Sequence, residues 1–221
     1  MDMDNNSQNE DFDCFRTIHC MNLKSNIERW ENTIREVEKL GPTYRLIRYD
    51  AIRNKENPKL GHSETFKGMI YMAKQKKLEA ILIGEDDLVL CDESRDAWES
   101  GLSELPDNWD VLLGGIYYVR GRQEISPHLC QITDFCATHF ILIRNTVYDK
   151  ILEFPNTNYG FKNIDRYIGK LAALGQLNAY VVWPMVSSQR AGYSDLRKRK
   201  VDDNRNNKRK GLDFLTEKDD N

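Results

Sequence analysis

Three carboxylates in a row, Glu85-Asp86-Asp87, follow directly on the apolar run AILIG (80–84). Like charges repel and resist burial, so a strand that delivers three of them to its end implies a positive partner opposite. Three chemistries fit the triplet. It can be a solvated turn that caps the next helix. Two of its members can hold a hard divalent cation, Mn2+ or Mg2+, which in turn holds a diphosphate. On an extended segment Glu85 and Asp87 project to one side and Asp86 to the other, and oxygen ligands suit the ions that travel with nucleotides. Finally, a carboxylate pair can cleave a glycosidic bond directly, although neighbours in sequence rarely straddle a sugar ring at the needed separation. The cation–diphosphate reading fits the local residues best, because AILIG brings these side chains to a rim where pockets form. Elsewhere the chain carries no GxxxxGK[ST] or GxGxxG phosphate cradle and no GxSxG nucleophile elbow.

The elements that must position the triplet are legible as alternating patterns. CFRTIHCMNL (14–23) reads as a strand, and a helix then starts at Ser25. Ser25 and Glu28 form a capping box, and Ile27, Trp30, Ile34, Val37 and Leu40 recur at helical spacing up to the stop at Gly41-Pro42. TYRLIRYDAI (43–52) is a second strand and NKENPKLGHS (54–63) a polar loop. Phe66, Met69, Ile70 and Ala73 make one face of a second helix, and AILIG is the third strand. Beyond the triplet come a helix over 92–105 with Ala97, Trp98 and Leu102, and strands in WDVLLGG (109–115) and CATHFILI (136–143). Helices over 146–152 and 163–174 follow, the second aligning Ile164, Tyr167, Ile168, Leu171 and Leu174, and LNAYVVWP (177–184) is the last strand. Strands alternating with helices imply an α/β fold: a mostly parallel sheet with helices on both faces, whose ligands bind beyond the carboxyl ends of the strands. The acidic triplet stands at such an end.

A chain of 221 residues supports one sizeable core. The sequence divides into a polar N-terminus (1–13) expected to be flexible, a domain over 14–196, and a charged, flexible tail (197–221) opening with the basic run RKRKVDDNRNNKRK. That run could contact released diphosphate, an anionic glycan, a membrane surface peripherally, or nucleic acid, but nothing in the sequence reads bases. No run approaches the roughly 20 apolar residues of a membrane span. The acidic start resembles neither a signal nor a transit peptide. Five cysteines without a CxxC pair, mostly in apolar runs, read as reduced buried thiols, and Cys14, His19 and Cys20 have the wrong spacing for zinc. Together these features predict a cytoplasmic protein.

Seven segments in order resemble family 25 glycosyltransferases, the group of lipooligosaccharide galactosyltransferases and the transferase domains of collagen galactosyltransferases. They are MNLKSNIERWE (21–31), YDAI (49–52), AILIGEDDLVL (80–90), LPDNWDVLLGG (105–115), HFILIRNTVYDKIL (139–152), NIDRYIG (163–169) and VVWPMVSSQRAGYSDL (181–196). The resemblance implies a single GT-A domain and inverting transfer of a hexose, galactose or glucose, from a UDP-sugar to a hydroxyl of a glycan or protein acceptor. It makes Glu-Asp-Asp this chain's DxD motif, with Asp87 and Glu85 on Mn2+ (or Mg2+) and Glu85 and Asp86 also at the nucleotide sugar. Asn22, Leu23 and Arg29 would frame the nucleotide and Asp50 its uracil or ribose. Asp165 would be the general base, and Gln189, Ser194 and Asp195 would shape the diphosphate or acceptor side. Tyr117-Tyr118 could stack on an acceptor sugar, while His139 reads as a core histidine and Asp110 as a strand cap. One departure stands out: where the family carries Ser-His on the helix before the DxD strand, this chain has Thr65-Phe66, with His62-Ser63 one turn earlier. That departure keeps a second expectation open, a catalytically inactive glycosyltransferase-like binding or partner protein.

Overall fold

The computed structural model describes residues 13–155, 163–194 and 199–201, so Asp195, the N-terminus before Asp13 and most of the tail lie outside the described residues. In chain order the elements begin β1 (Thr17–Asn22), α1 (Ile27–Glu38), β2 (Arg45–Asp50), α2 (Pro58–Gln75), β3 (Ala80–Glu85), β4 (Leu88–Leu90) and α3 (Ser94–Ser103). They continue with β5 (Val111–Leu113), β6 (Tyr118–Ser126), β7 (Leu129–Cys136), β8 (Phe140–Arg144), α4 (Tyr148–Leu152), α5 (Ile164–Ala173) and β9 (Ala179–Val182). Three short strands close the chain: β10 (Ser187–Gln189), β11 (Gly192–Ser194) and β12 (Arg199–Val201). β12, within the segment that the sequence sets aside as a tail, pairs antiparallel with β11.

Eight strands form one sheet in the order β2-β1-β3-β8-β5-β9-β7-β6. β8 and β7 run against the other six. β3 explains why AILIG is apolar throughout, since a strand covered on both faces has no solvent side. Ile81 and Ile83 enter a core with Phe66 and Met69 of α2 and Ile164 and Ile168 of α5. Ala80 and Leu82 enter a second core with Val37, Leu40 and Trp98, beneath α1 and α3. Each fully buried side chain of Ile or Leu size contributes about 1.5–3 kcal/mol, so the strand that carries the triplet is firmly held.

The antiparallel β8 has a direct consequence for the site. Gly84 pairs with Phe140, so the residues that lead into β8, Thr138 and His139, stand beside the exit of β3. A smaller ladder completes the rim: β10 pairs antiparallel with β4, setting Gln189 opposite Leu88, next in the chain to Asp87. Gly114 and Gly115 allow β10 to cross closely. A Cβ on Gly115 would lie 2.0 Å from the Ser187 carbonyl oxygen, and both Val186 and Ser187 donate backbone N–H bonds to Gly114.

Four sequence expectations are corrected. Helix α1 starts at Ile27 with Asn26 at its N-cap and no side-chain cap bond, so Ser25 and Glu28 form no capping box. Its inward face is Thr33, Glu36 and Val37, whereas Ile27 and Ile34 are exposed. Helix α2 starts eight residues before Phe66, inside the segment read as a loop. Asn57 caps it by accepting from the Leu60 N–H, and Pro58 occupies the first turn, where a missing N–H costs nothing. Last, β6 and β7 form a hairpin that the sequence reading lacked, and Cys136 ends β7 rather than opening β8. All five cysteines are free thiols, as expected. Among the described residues, no helix is long and apolar enough to cross a membrane.

Candidate active site

The triplet divides its labour as the extended-strand argument requires. Asp86 turns toward α1: its Oδ1 accepts from Arg29 Nη1 at 2.8 Å and its Oδ2 from Asn22 Nδ2 at 2.6 Å. Asn22 is fully buried at the end of β1, and its Oδ1 accepts in turn from Arg48 Nη2. The guanidinium of Arg48 lies 5.2 Å from the centre of the Trp30 ring. The Asn22 and Arg29 side chains therefore fix the acidic turn.

Glu85 and Asp87 face the other way and meet the same group. Gln189 Nε2 lies 3.5 Å from Glu85 Oε2 and 3.3 Å from Asp87 Oδ1, at the outer limit of hydrogen bonding. Glu85 is buried. Its Oε1 accepts from Thr138 Oγ1 at 2.7 Å and lies 3.4 Å from His62 Nε2, while its backbone N–H bonds to the His139 carbonyl. Burial pushes the Glu85 carboxyl up, but the hydrogen bond and charge of His62, with Thr138 and His139, outweigh it and hold the carboxyl well below its usual range. Asp87 has no such compensation. Burial and repulsion from Glu85 and Asp86 push its carboxyl up, against weaker opposition from Arg29 and Gln189. Burial disfavours the charged form of His62, yet the Glu85 bond and charge, together with Asp165 and Asp87, raise its pKa.

These carboxylates fit a hard divalent cation. Two of them converge on one donor, and the surroundings of Asp87 disfavour its charge in a way that a cation would offset. Among the described residues no group of three or more His, Cys, Asp or Glu side chains could hold a metal alone. A cation would therefore take two protein carboxylates and complete its shell from diphosphate and water, as nucleotide-bound Mg2+ commonly does.

Asp165 opens α5 and is 6% exposed. Tyr117 OH and Cys136 Sγ both donate to its Oδ2, at 2.9 and 2.8 Å, and the Arg166 N–H donates to Oδ1 at 2.7 Å. The Tyr117 hydroxyl is thus engaged with Asp165. Burial and the nearby Asp165 charge push both the Tyr117 and Cys136 protons onto their own atoms. Helix α5 reaches this position because Gly169 lies against β7, where a Cβ would stand 2.1 Å from the Phe135 carbonyl oxygen.

Other candidates fall at different distances from this centre. Asp50 is exposed at the end of β2, in register with Asn22. Leu23 is half-buried, and its carbonyl accepts from Arg48. Gln189 joins the carboxylates as described. Ser194 belongs to β11, and Asp195 lies outside the described residues. His139 is a buried histidine with Nε2 3.2 Å from Ser187 Oγ, as expected for the core. Asp110 caps the base of the sheet, accepting from the Asn178 N–H at 2.8 Å and from Thr146 Oγ1 at 2.6 Å. Thr65 and Phe66 are wholly buried, and Thr65 Oγ1 accepts from the Ile52 N–H. The imidazole beside the triplet comes from His62. Thr138, Cys136 and Arg190 carried no signal in the sequence, since each depends on a contact between distant segments.

No protein-family model and no curated protein matches this chain. Solved structures do. A glycosyltransferase involved in the glycosylation of the major capsid of PBCV-1 superimposes with a TM-score of 0.55 at 11% identity, over 87% of this chain and 98% of that one. The fold is GT-A-like. The inositol-1-phosphate CTP transferase of T. maritima aligns with a TM-score of 0.45 at 11% identity, over 77% of this chain and 86% of that one. Mouse xyloside xylosyltransferase 1 aligns at 0.43 and 11%, over 75% and 71%. These two are too distant in shape to add to the argument, and at 11% identity the first speaks for the fold alone.

Proposed function

We propose that this chain is a metal-dependent, inverting glycosyltransferase of the family 25 type. It moves a hexose, galactose or glucose, from a UDP-sugar to a hydroxyl of a glycan or protein acceptor. The observation that carries the reading is the convergence of Glu85 and Asp87 on the Gln189 amide at the carboxyl end of the central strand. Glu85 and Asp87 would hold Mn2+ or Mg2+, which when bound supplies Lewis-acid neutralisation of the charge that grows on departing UDP. Asp86, tied to Arg29 and Asn22, keeps the turn in place while its neighbours face the ligand. Asp50, exposed at the end of β2, would meet the uracil or ribose.

On the acceptor side, Asp165 takes the proton of the attacking hydroxyl. Its three hydrogen bonds orient the carboxylate, and Oδ1, with a single donor, keeps lone-pair capacity for that proton. His62 contacts Glu85 and feels the charge of Asp165, so it couples the two halves of the site. Its presence favours an active enzyme over an inactive relative despite Thr65-Phe66. A thermal-shift screen of nucleotide sugars with and without Mn2+ tests the reading, because a ligand that binds only the native state stabilises it by mass action. A UDP-sugar should raise the melting temperature only with Mn2+ present. No shift with any nucleotide sugar in Mn2+ would sink the proposal.

A further inference from the structure

Helix α1 turns Val37 into the core as its periodicity predicts, but it buries two polar residues on the same face and leaves two isoleucines outside. Ile27 is 61% and Ile34 38% exposed, while Thr33 and Glu36 are buried at 1% and 8%. Amphipathic helices normally turn their apolar stripe inward, so a buried threonine and glutamate need a compensating set of partners. Most of the partners belong to the acidic turn, the strand it enters and Arg190 just beyond β10. Arg29 donates to the Asp86 carboxylate, and Thr33 Oγ1 donates to the Arg29 carbonyl of its own helix at 2.9 Å with the Asp86 carbonyl 3.3 Å away. One turn on, Glu36 Oε2 accepts from the Leu90 N–H at 3.0 Å, and Lys39 Nζ, just past the helix, donates to the Leu90 carbonyl at 2.8 Å. Both backbone groups of Leu90 are thereby held by side chains of this one segment. Glu36 Oε1 also accepts from Arg190 Nη2 at 2.8 Å, and the Arg190 N–H donates to the Asp87 carbonyl at 2.6 Å. Residues 29, 33, 36 and 39 recur at helical spacing, so one stripe grips the segment 86–90 along its length.

We propose that this polar stripe is a positioning device for the carboxylate turn, with Glu36 as its central positioning residue. Glu36 joins β4, through Leu90, to the residue after Gln189, through Arg190, and so fixes the gap in which Asp87 and Gln189 face each other. The stripe holds Asp87 near Glu85 against their mutual repulsion, keeping a cation site formed before the cation arrives. The inference rests on the metal-dependent reading above and adds the groups that act through the ligands. Partners of this kind typically change metal affinity about 10–100-fold when removed.

Glu36→Gln and Thr33→Val in the full chain test it, with Mn2+ alone as the titrant and amide hydrogen exchange as the second readout. Glu36→Gln keeps an acceptor for Leu90 but loses the charge that holds Arg190 and Lys39. It should weaken Mn2+ binding about 10-fold or more and speed exchange over residues 86–90, and Thr33→Val should act in the same direction. A merely structural loss would speed exchange across β3 and β8 alike and leave the Mn2+ affinity of folded protein intact, which overturns the proposal. So would folded variants with wild-type affinity and exchange. If the wild-type chain takes up no Mn2+ even with UDP added, the metal reading fails by itself, and exchange over 86–90 still decides the clamp: unchanged rates overturn it. Should Glu36→Gln not fold, Arg190→Ala, at the more exposed end of the same hub, decides in the same two assays.

Discussion

Glu85 and Asp87 stand two residues apart, and their surroundings drive their carboxyls in opposite directions. His62 and Thr138 compensate Glu85 for its burial, while Asp87 meets burial and two like charges with little in return. Ionised, such a residue is a cost to the cation-free fold that protonation or a bound cation relieves. Asp87→Asn should therefore raise the stability of the metal-free protein, by about 0.5–2 kcal/mol as stabilising active-site changes commonly do, while Mn2+-dependent turnover is lost. Chemical denaturation in chelator beside an activity assay checks this, and a less stable Asp87→Asn would contradict it. The pairing of Glu85 with Asp87 and the turning away of Asp86 were legible from strand periodicity alone. The partners of Asp86 were not. Asn22 and Arg29 were singled out as contacts for a nucleotide, and their hold on Asp86 was unforeseen because sequence spacing cannot show that 64 and 57 residues later a carboxylate returns to meet them.

At the scale of elements, the strand ends position the acidic triplet and α5 positions Asp165. Asp165 depends on the close approach of α5 to β7, which a glycine permits. Gly169→Ala places a methyl group into the Phe135 backbone, so the helix must lift. A loss of about 1–3 kcal/mol in thermal or urea unfolding is expected, with kcat reduced more than the donor KM. Unaltered stability and kinetics would show that α5 does not set Asp165. The buried β3 was legible because it is apolar on both faces, whereas β6 was not, because it is an edge strand rich in Arg, Gln and Glu. The start of α2 was missed although Asn57-Pro58 is a recognised start signal. The polar residues around it resembled a loop, and His62 was thereby left off the helix that brings it to Glu85. The inward face of α1 was assigned only in part, since Val37 and Leu40 are buried as expected but Ile27 and Ile34 are exposed. Its polar stripe serves the acidic turn rather than the core, and no periodicity rule anticipates a helix that buries Thr33 and Glu36.

For the whole molecule, two cores pack on either face of the sheet that carries the site, and the resemblance in sequence order agrees with the GT-A-like architecture. The same burial makes the fold sensitive to acid at His19, which is 4% exposed beside Ile83 in β1. Burial first, then the charge of Lys76, lowers its pKa to about 4. Between pH 6.5 and about 4 the unfolded chain takes up a proton that the native histidine refuses, so stability falls as pH falls through that window. The loss reaches about 3 kcal/mol at most. Melting curves from pH 7 to pH 4 should show a shallower decline in a folded His19→Gln variant than in the wild type, and equal slopes would contradict the assignment. The claim on which the functional account turns is that Glu85 and Asp87 place a divalent cation on a nucleotide diphosphate. Measuring UDP-sugar turnover against Mn2+ concentration, for the wild type and Asp87→Ala, tests it most directly. Saturable Mn2+-dependent turnover, abolished by chelator and reduced about 100-fold or more in Asp87→Ala, is the predicted result. Turnover that survives both chelator and the substitution would contradict it.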